Sequence, residues 1–512
     1  MITWNLTYNK IGPIGVFYLG ETVTTLNISG NNIKDKGVEY LADILRCNKT
    51  LTTLSLSDCG LEASCTQRLA DALRTNNTLI FLNLSYNQIG PRGAQYVGDA
   101  LQNNSTLTTL YLGNNRIRDP GVQFILNGLR NNKTLSILDL RHNGIGSRAV
   151  ANIVDELQNN TTLKQFELSG NHGDCVAIGV TVQFRNDRTL TTLDLRQNQI
   201  ESTSVKYIAD IIRTTTSLTT LDLDFNTIRD DGVKYLADAL QINETLITLC
   251  LSRNEIEHCG VHYLVDALKN NTTLTTLILC GNKIGDIGAK YISEGLRNHQ
   301  TLTVLNLKDN QIGSIGAQNL VEGFHDNITL KQLELFGNHG ECIAVGAAVG
   351  LRNDKILTTL DLSQNDISPR GIQYVADVLR KNSTITTLIL THNQLRDSGV
   401  HCLAVALKDN STLVKLHIGN NQVEDTGAYD IASVLRVNTT LTELGLQTNK
   451  ISDQGALYLA VALIHNKGLQ SLYLQQNAFG VVGGQHLVGS LRSNTVGSSG
   501  FTYVIYDFVV TT

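Results

Sequence analysis

A twelve-residue motif recurs along this chain and constrains its fold more than any other feature. The motif is clearest over residues 106–117, which read TLTTLYLGNNRI. Alternation of Leu110, Tyr111 and Leu112 predicts a short strand with both leucines on one face. Asn115 follows where the chain must leave the strand, and its side-chain amide can satisfy loop amides there. The motif therefore predicts one strand and one turn per copy.

The position of Asn115 recurs at nearly constant spacing. The interval is 28 residues almost everywhere, 27 after two copies and 22 after the first, and Cys59 is the one departure from asparagine. Eighteen copies at this period predict a solenoid. The copies fall at positions 9, 31, 59, 87, 115, 143, 171, 198, 226, 254, 282, 310, 338, 365, 393, 421, 449 and 477.

A second pattern follows each strand. Over residues 232–240, GVKYLADAL, four apolar residues fall on one helical face, which predicts a short amphipathic helix. We expect Gly232 to permit a tight turn into this helix. Strand, turn, helix and return loop then complete one coil.

The pattern L-x-x-L-x-L-x-x-N/C-x-L followed by glycine and a helix, as in residues 107–129, resembles the leucine-rich repeats of the ribonuclease inhibitor subfamily. It is also similar to the repeat regions of NOD-like receptors. The resemblance covers roughly residues 24–494 and implies an α/β solenoid of about eighteen repeats. In such a horseshoe a parallel β-sheet lines the concave face and helices line the convex face. We expect residues 1–23 to form an irregular N-terminal repeat, and residues 495–512 a C-terminal tail or capping strand.

Charge and cysteine usage limit the classes of partner and compartment. A formal net charge of −5, from 41 basic and 46 acidic residues, gives no general attraction to nucleic acid or an anionic membrane. The start of the chain lacks the pattern of a signal peptide, and no apolar run approaches the roughly 20 residues that span a bilayer. Nine scattered cysteines without a C-x-x-C pair favour neither a disulfide framework nor a zinc finger. A cytoplasmic protein is expected.

Two coils are one residue short and carry NHGDC at residues 171–175 and NHGEC at residues 338–342. They lie 167 residues apart, and 25 of 38 positions match between residues 163–200 and 330–367, which indicates a duplicated block. Their His, Asp or Glu, and Cys side chains are possible metal ligands. A shortened turn copied by the duplication is the favoured interpretation, so neither a metal nor a cofactor is predicted.

The strand position of Tyr111 faces the concave surface and varies between copies. Four consecutive copies place acids there, and like charges on neighbouring strands about 5 Å apart repel only weakly in water. Arg141 and Arg196 are expected to neutralise part of this charge. We therefore predict a site for a protein partner with a basic patch. Its candidate residues are Asp139, Glu167, Asp194, Asp222, Asp224, Phe225, Tyr86, Tyr111, Glu334, Phe336 and Asp361, with Tyr473 as a further aromatic.

Catalysis is not expected. The sequence has no G-x-x-x-x-G-K-[ST] loop, and no inward histidine accompanies a recognisable nucleophile and acid. The prediction is a non-catalytic protein–protein interaction scaffold. Alternatives are a GTPase-activating regulator resembling Ran GTPase-activating protein, disfavoured because no acidic segment follows the repeats, and the sensing fragment of a NOD-like receptor. An extracellular recognition module is disfavoured by the missing signal peptide and cysteine-rich caps.

Overall fold

The computed structural model describes residues 2–17, 23–493, 502–505 and 508–511. The chain divides into two compact units, Met1–Leu249 (unit 1) and Cys250–Thr512 (unit 2). Each unit consists of strands and helices that alternate along the chain. Among the described residues, no helix combines the length and apolar character needed to cross a membrane.

In unit 1, the first seven strands form a parallel sheet in chain order, and the next two pair with each other in parallel. The strands are β1 (Thr3–Asn5), β2 (Thr25–Asn27), β3 (Thr53–Ser55), β4 (Phe81–Asn83), β5 (Thr109–Tyr111), β6 (Ile137–Asp139), β7 (Gln165–Glu167), β8 (Thr192–Asp194) and β9 (Thr220–Asp222), with β10 (Thr248–Cys250) at the division between units. The helices are α1 (Pro13–Phe17), α2 (Lys34–Cys47), α3 (Ala63–Leu73), α4 (Gly90–Leu101), α5 (Arg118–Leu129), α6 (Ala149–Leu157), α7 (Gly173–Asn186), α8 (Val205–Thr214, after a 3₁₀ turn at Ser202–Ser204) and α9 (Arg229–Leu240).

Unit 2 continues the same alternation. Its strands are β11 (Thr276–Ile278), β12 (Val304–Asn306), β13 (Gln332–Glu334), β14 (Thr359–Asp361), β15 (Thr387–Ile389), β16 (Lys415–His417), β17 (Glu443–Gly445), β18 (Ser471–Tyr473), β19 (Thr502–Ile505) and β20 (Phe508–Thr511). Its helices are α10 (His258–Leu268), α11 (Gly285–Leu296), α12 (Ser314–Phe324), α13 (Gly340–Asn353), α14 (Pro369–Leu379), α15 (Arg396–Asp409), α16 (Asp425–Leu435), α17 (Asp453–Leu463) and α18 (Val481–Ser493).

Strands β11 to β13 pair in parallel, and so do β14 to β18. In the segment expected to be a tail or capping strand, β19 pairs in parallel with β18, and β20 pairs with β19 in antiparallel orientation. Residues 494–501, 506, 507 and 512 of this segment lie outside the described residues, as do residues 1 and 18–22 at the other end.

The motif residues form the core as predicted. Leu107, Leu110, Leu112 and Ile117 are each at most 1% exposed. The same apolar positions are buried from coil to coil, so the interior is a repeated aliphatic layer between strand and helix. The predicted leucine-rich repeat fold is confirmed.

The motif asparagines form a hydrogen-bonded ladder between coils, which confirms their predicted role. The Asn143 carbonyl oxygen Oδ1 accepts from the backbone N–H groups of Asn115 (2.9 Å) and Ile117 (3.3 Å) in the preceding coil. Its Nδ2 donates to the backbone carbonyls of Leu112 (3.0 Å) and Leu140 (2.9 Å). Asn143 therefore satisfies loop groups that would otherwise be buried without partners. Asn198 and Asn365, which follow the two shortened coils, instead donate within their own turns, to the carbonyls of Arg196 (3.0 Å) and Ser363 (2.9 Å).

A second ladder runs through the return loops. Asn104 is buried, donates from Nδ2 to the Leu73 carbonyl (2.8 Å), and accepts at Oδ1 from the N–H groups of Thr106 (3.1 Å) and Leu107 (2.8 Å). His299 occupies the same place in a later coil. The repeated asparagine of the return loop is thus structural.

The helices begin earlier than the sequence pattern predicts. Helix α9 starts at Arg229, which has a left-handed φ of 53°, and not at Gly232. Gly232 lies inside the first turn, and a Cβ there would come within 3.0 Å of Val205 Cγ2. The expected role of Gly232 in a tight turn is therefore wrong, because this glycine allows α9 to approach α8 closely.

Acidic residues at the start of several helices cap the helix of the following coil. Asp425 Oδ1 accepts from the N–H groups of Ser452 (2.8 Å) and Gly455 (3.0 Å) at the start of α17. Asp453 does the same for Gly480 (2.7 Å) and Gly483 (2.8 Å). These carboxylates satisfy N–H groups that a helix leaves unpaired at its N-terminus.

The two shortened coils lose their residue between strand and helix. Helix α7 begins two residues after Asn171, and His172 caps it by accepting at Nδ1 from the Asp174 N–H (3.3 Å). In α13, His339 accepts from the Glu341 N–H in the same way (3.4 Å). Both helices are 14 residues long.

The sheets are interrupted at these same coils. Strand β7 is the last of its sheet and β8 lies in another, and β13 and β14 are separated in the same manner. In the part of the chain that the structure describes, no backbone hydrogen bond joins β7 to β8 or β13 to β14. The parallel ladder is therefore broken after each shortened coil.

Candidate functional site

We call the surface formed by the variable side chains at the ends of the strands, such as Tyr111 and Asp139, the strand face. The first predicted acid on the strand face of unit 1, Asp139, is buried and paired with an arginine. Asp139 ends β6, is 3% exposed, and lies beside Glu167 in the register of β6 and β7. Arg141 donates to its carboxylate from Nε (3.0 Å) and Nη2 (2.7 Å), and these hydrogen bonds raise the pKa of the Arg141 guanidinium. A partner would meet the exposed face of this ion pair and not an isolated carboxylate.

Asp194 and Asp222 form the second acidic pair, opposite each other on β8 and β9. Arg196 donates to Asp194 from Nε (2.9 Å) and Nη2 (2.6 Å), and its Nε lies 3.5 Å from Asp222 Oδ2. Hydrogen bonding from Arg196 lowers the pKa of Asp194. One guanidinium is therefore shared by two carboxylates, which leaves this pair with a net negative charge.

The expectation of four acids on consecutive neighbouring strands is wrong in one respect. Glu167 ends β7 and Asp194 ends β8, and these two strands are not paired. The acids therefore form two pairs separated by the break in the sheet. Glu167 is half-buried and accepts a hydrogen bond from Gln165 Nε2 (3.1 Å).

The predicted aromatic residues of unit 1 occupy two different places. Tyr111 lies on β5 and packs edge-to-face against Phe81, with ring centroids 5.2 Å apart. Tyr86 (62% exposed) and Phe225 (47%) instead follow their strands, with left-handed φ angles of 58°. Asp224 precedes Phe225 in the same turn. Tyr86 and Phe225 thus lie at the carboxyl-terminal edge of the strand face.

Tyr86 also borders a shallow polar cavity of about 690 Å³ at this edge. Tyr8, Asp58, Arg116 and His142 line the cavity with it. The cavity combines an aromatic surface with both charges.

In unit 2, the predicted acids differ in their environment. Glu334 on β13 is half-buried and accepts hydrogen bonds from Lys308 and Gln332. Burial of its carboxyl works to raise the pKa of Glu334, but these hydrogen bonds outweigh it and lower the pKa. Asp361 on β14 is exposed and accepts from the Ser363 hydroxyl (2.7 Å). Phe336 is 62% exposed beyond the end of β13.

Sequence reasoning did not single out a second cluster on the strand face of unit 2. Glu443 on β17 lies 2.8 Å from Lys415 Nζ and 3.1 Å from His417 Nε2, and hydrogen bonding from Lys415 lowers the pKa of Glu443. The rings of His417 and Tyr473 stack at 6.2 Å on either side of Gly445. The sequence signal for this cluster was Gly445, which has no side chain and lies between His417 and Tyr473 in the column of strand residues, so that the two rings can meet.

The suggested metal ligands of the first shortened coil have other roles. His172 caps α7, Asp174 hydrogen-bonds the Ser204 hydroxyl, and the buried Cys175 Sγ donates to the Gly146 carbonyl (3.2 Å). Burial raises the pKa of Cys175 to about 12. Among the described residues, no group of three or more His, Cys, Asp or Glu side chains could hold a metal ion.

Sequence comparison identifies the repeats. The family described as Leucine Rich repeat matches segments that together cover more than half of the chain. The chain belongs to the leucine-rich repeat family. The matched leucine-rich repeat segments are residues 1–20, 21–42, 47–64, 75–98, 103–126, 131–154, 186–209, 215–237, 270–293, 298–321, 355–376, 381–404, 409–432 and 437–460.

Two solved structures are similar to this leucine-rich repeat chain at a low level. Leiomodin-1 actin-binding site 2 is 20% identical, with a TM-score of 0.26, over 30% of this chain and 89% of that one. An internalin from Listeria monocytogenes is 20% identical, with a TM-score of 0.32, over 80% of this chain and 88% of that one. With TM-scores this low, neither likeness bears on the function of this chain. No curated protein matches its sequence.

Proposed function

We propose that this leucine-rich repeat protein is a non-catalytic scaffold that binds a protein partner on its strand face. One observation carries the proposal. The side chains on the strand face differ from coil to coil, whereas the apolar side chains of the core are nearly the same in every coil. Leu110 and Leu138 are fully buried, while Tyr111 and Asp139, beside them on the same strands, are unrelated residues in register. Variable side chains presented on a constant framework suit recognition of a partner.

The acidic pairs of unit 1 support a partner with a basic patch. Arg196 balances only one of the two charges of Asp194 and Asp222. Arg141 is hydrogen-bonded to Asp139 and also interacts electrostatically with Glu167, so the first acidic pair likewise has one guanidinium for two carboxylates. Lysine or arginine side chains of a partner would complete these charges. Phe225 at the edge adds the exposed aromatic surface that often anchors an interface.

We further infer that the coils are of the ribonuclease inhibitor type, because α-helices of nine to fourteen residues alternate with three-residue strands through α2 to α17. The repeat array then runs from about residue 24 to 494, with residues 1–23 and 495–512 as end segments. The nine cysteines are scattered along the chain without a C-x-x-C pair, which supports a reducing, cytoplasmic compartment.

A charge-reversal experiment tests the strand face. The double variant Asp194→Lys with Asp222→Lys removes the acids of β8 and β9. Its matched control, Asp210→Lys with Asp238→Lys, makes the same charge change on the helices α8 and α9 of the same two coils, where both residues are exposed. Tagged wild type and both variants are used to capture proteins from the native cell, followed by quantitative mass spectrometry.

We expect at least one captured protein to be retained by the control and reduced about tenfold or more by the strand-face variant, the effect of losing roughly 1.4 kcal/mol. Circular dichroism of both variants excludes unfolding as the cause. Equal recovery of every captured protein by the two variants would contradict the acidic strand face as the binding surface.

A further inference from the structure

A cavity of about 320 Å³ opens on the helical side of unit 2, between α12, α13 and α14. Its volume is near the lower end of the about 300–1,000 Å³ that is usual for ligand pockets. The lining contains neither serine nor threonine. Three lining residues of α13 (Val345, Ala348 and Val349) are buried, and two of α14 (Tyr374 and Val378) are half-buried.

The duplicated block provides an internal comparison 167 residues earlier, beside α7. The cavity there is about 280 Å³, but half of its lining residues are threonine or serine. Thr181, the counterpart of Ala348, donates from its hydroxyl to the carbonyls of Ala177 (3.0 Å) in α7 and Tyr207 (3.3 Å) in α8. Ala348 removes that polar bridge. The cavities beside the two copies of this coil therefore differ in polarity: the one beside α7 is lined by threonine and serine hydroxyl groups and the one beside α13 is not.

A cationic group lies at the apolar cavity with few partners. Arg352 is half-buried and donates from Nη1 to the Phe324 carbonyl (2.6 Å), its only side-chain hydrogen bond among the described residues. Its counterpart Arg185 reaches three acceptors. Burial lowers the pKa of Arg352, although the charge of Asp326 opposes this shift. A guanidinium carries five N–H donors, so Arg352 can bind an anion in addition to its carbonyl.

The exposed residues at the cavity favour an anion as well. Lys381 is exposed and lines the cavity together with one acid, Asp377. His325 also lines it, with Nε2 lying 3.8 Å from Asp326 Oδ1. We propose that this cavity binds a medium-chain fatty acid, with the acyl chain against Val345, Ala348 and Val349 and the carboxylate at Arg352 and Lys381. The volume suits a single acyl chain, and Arg352 and Lys381 favour a carboxylate over an uncharged head group.

Decanoate is the probe, titrated into the full chain by isothermal calorimetry at pH 7 and low ionic strength, below its micellar concentration. We expect one saturable site per chain, with decanol binding about tenfold or more weakly because it lacks the charge that pairs with Arg352. Failure of decanoate to saturate one site would overturn the proposal. Equal binding of decanol would also overturn it.

Two variants test the location. Ala348→Thr installs the residue of the equivalent coil, where the fold accepts it, and we expect it to weaken decanoate binding about tenfold or more. Lys381→Glu should weaken binding by about three- to tenfold. Lys408→Glu makes the same charge change at an exposed position of α15 that does not line the cavity, and should leave affinity unchanged.

Unchanged decanoate affinity in a folded Ala348→Thr protein would refute the site. Circular dichroism reports whether each variant folds. Should Ala348→Thr fail to fold, the comparison of Lys381→Glu with Lys408→Glu decides, and equal affinities of these two would refute the proposal.

Discussion

Replacing His299 with asparagine should remove a pH-dependent weakness from the return-loop ladder. His299 Nδ1 accepts from the backbone N–H groups of Thr301 (3.3 Å) and Leu302 (3.1 Å), so its proton must lie on Nε2, which donates to the Leu268 carbonyl (3.0 Å). A neutral imidazole can play the part of asparagine in this way. An imidazolium cannot, because a proton on Nδ1 leaves both N–H groups without an acceptor.

Burial lowers the pKa of His299 below its ordinary value of 6.5, and the nearby backbone carbonyls only partly oppose this. As the pH falls below 6.5, the unfolded or locally opened state takes up a proton before the folded state does. The contribution of His299 to stability is therefore complete above that pH and is lost between 6.5 and the lower, folded pKa. In this window the loss has a slope of up to about 1.4 kcal/mol per pH unit.

Hydrogen exchange measured by mass spectrometry on peptides containing residues 299–302 is the local assay. One pH unit below 6.5, wild type should lose up to about tenfold of protection relative to His299→Asn, after correction for intrinsic exchange. His465→Asn removes an exposed histidine from another return loop and should behave as wild type. The reasoning fails if wild type and His299→Asn show the same pH dependence.

Three further predictions concern packing, capping and thiol chemistry. A Cβ at Gly98 would lie 2.2 Å from the Phe124 carbonyl oxygen, so Gly98→Ala should lower the free energy of unfolding by about 1–3 kcal/mol. A Cβ at Gly350 would meet no atom within 4 Å, so Gly350→Ala should raise the free energy of unfolding by up to about 1 kcal/mol. Thermal unfolding compares the two variants. Asp425→Ala should cost about 0.5–2 kcal/mol and speed hydrogen exchange at the start of α17, which it caps. Burial raises the pKa of Cys342 to about 12, so iodoacetamide at pH 8 should leave it unmodified in the native protein and alkylate it after denaturation.

The residues that determine the fold could be predicted from the sequence because the same residue type recurs at each of these positions in almost every coil. The pattern predicts that Leu110 faces the core and that Asn115 hydrogen-bonds the backbone of the turn, and neither prediction depends on the variable residues. Local backbone geometry was not legible. Helix α9 begins at Arg229, which has a left-handed φ, and the amphipathic pattern carries no information about that conformation.

The candidate site was less predictable. The motif identified the column of strand residues but not the exposure of its members: Asp139 is buried while Asp194 is exposed, although an arginine two residues later pairs with each. The missing residue after Asn171 showed that one coil is shorter. It could not show that Glu167 and Asp194 would lie on two strands that are not paired, because strand pairing depends on contacts between coils that the motif does not encode.

The breaks in the sheet also affect how cooperatively the repeats unfold. Stability in a repeat array is transmitted from coil to neighbouring coil, and strand pairing is one of the couplings. Unit 1 lacks this coupling between β7 and β8, and unit 2 lacks it between β13 and β14. We expect unfolding to propagate between paired strands and to pause at these two junctions, whose interrupted pairing was copied along with the duplicated coil.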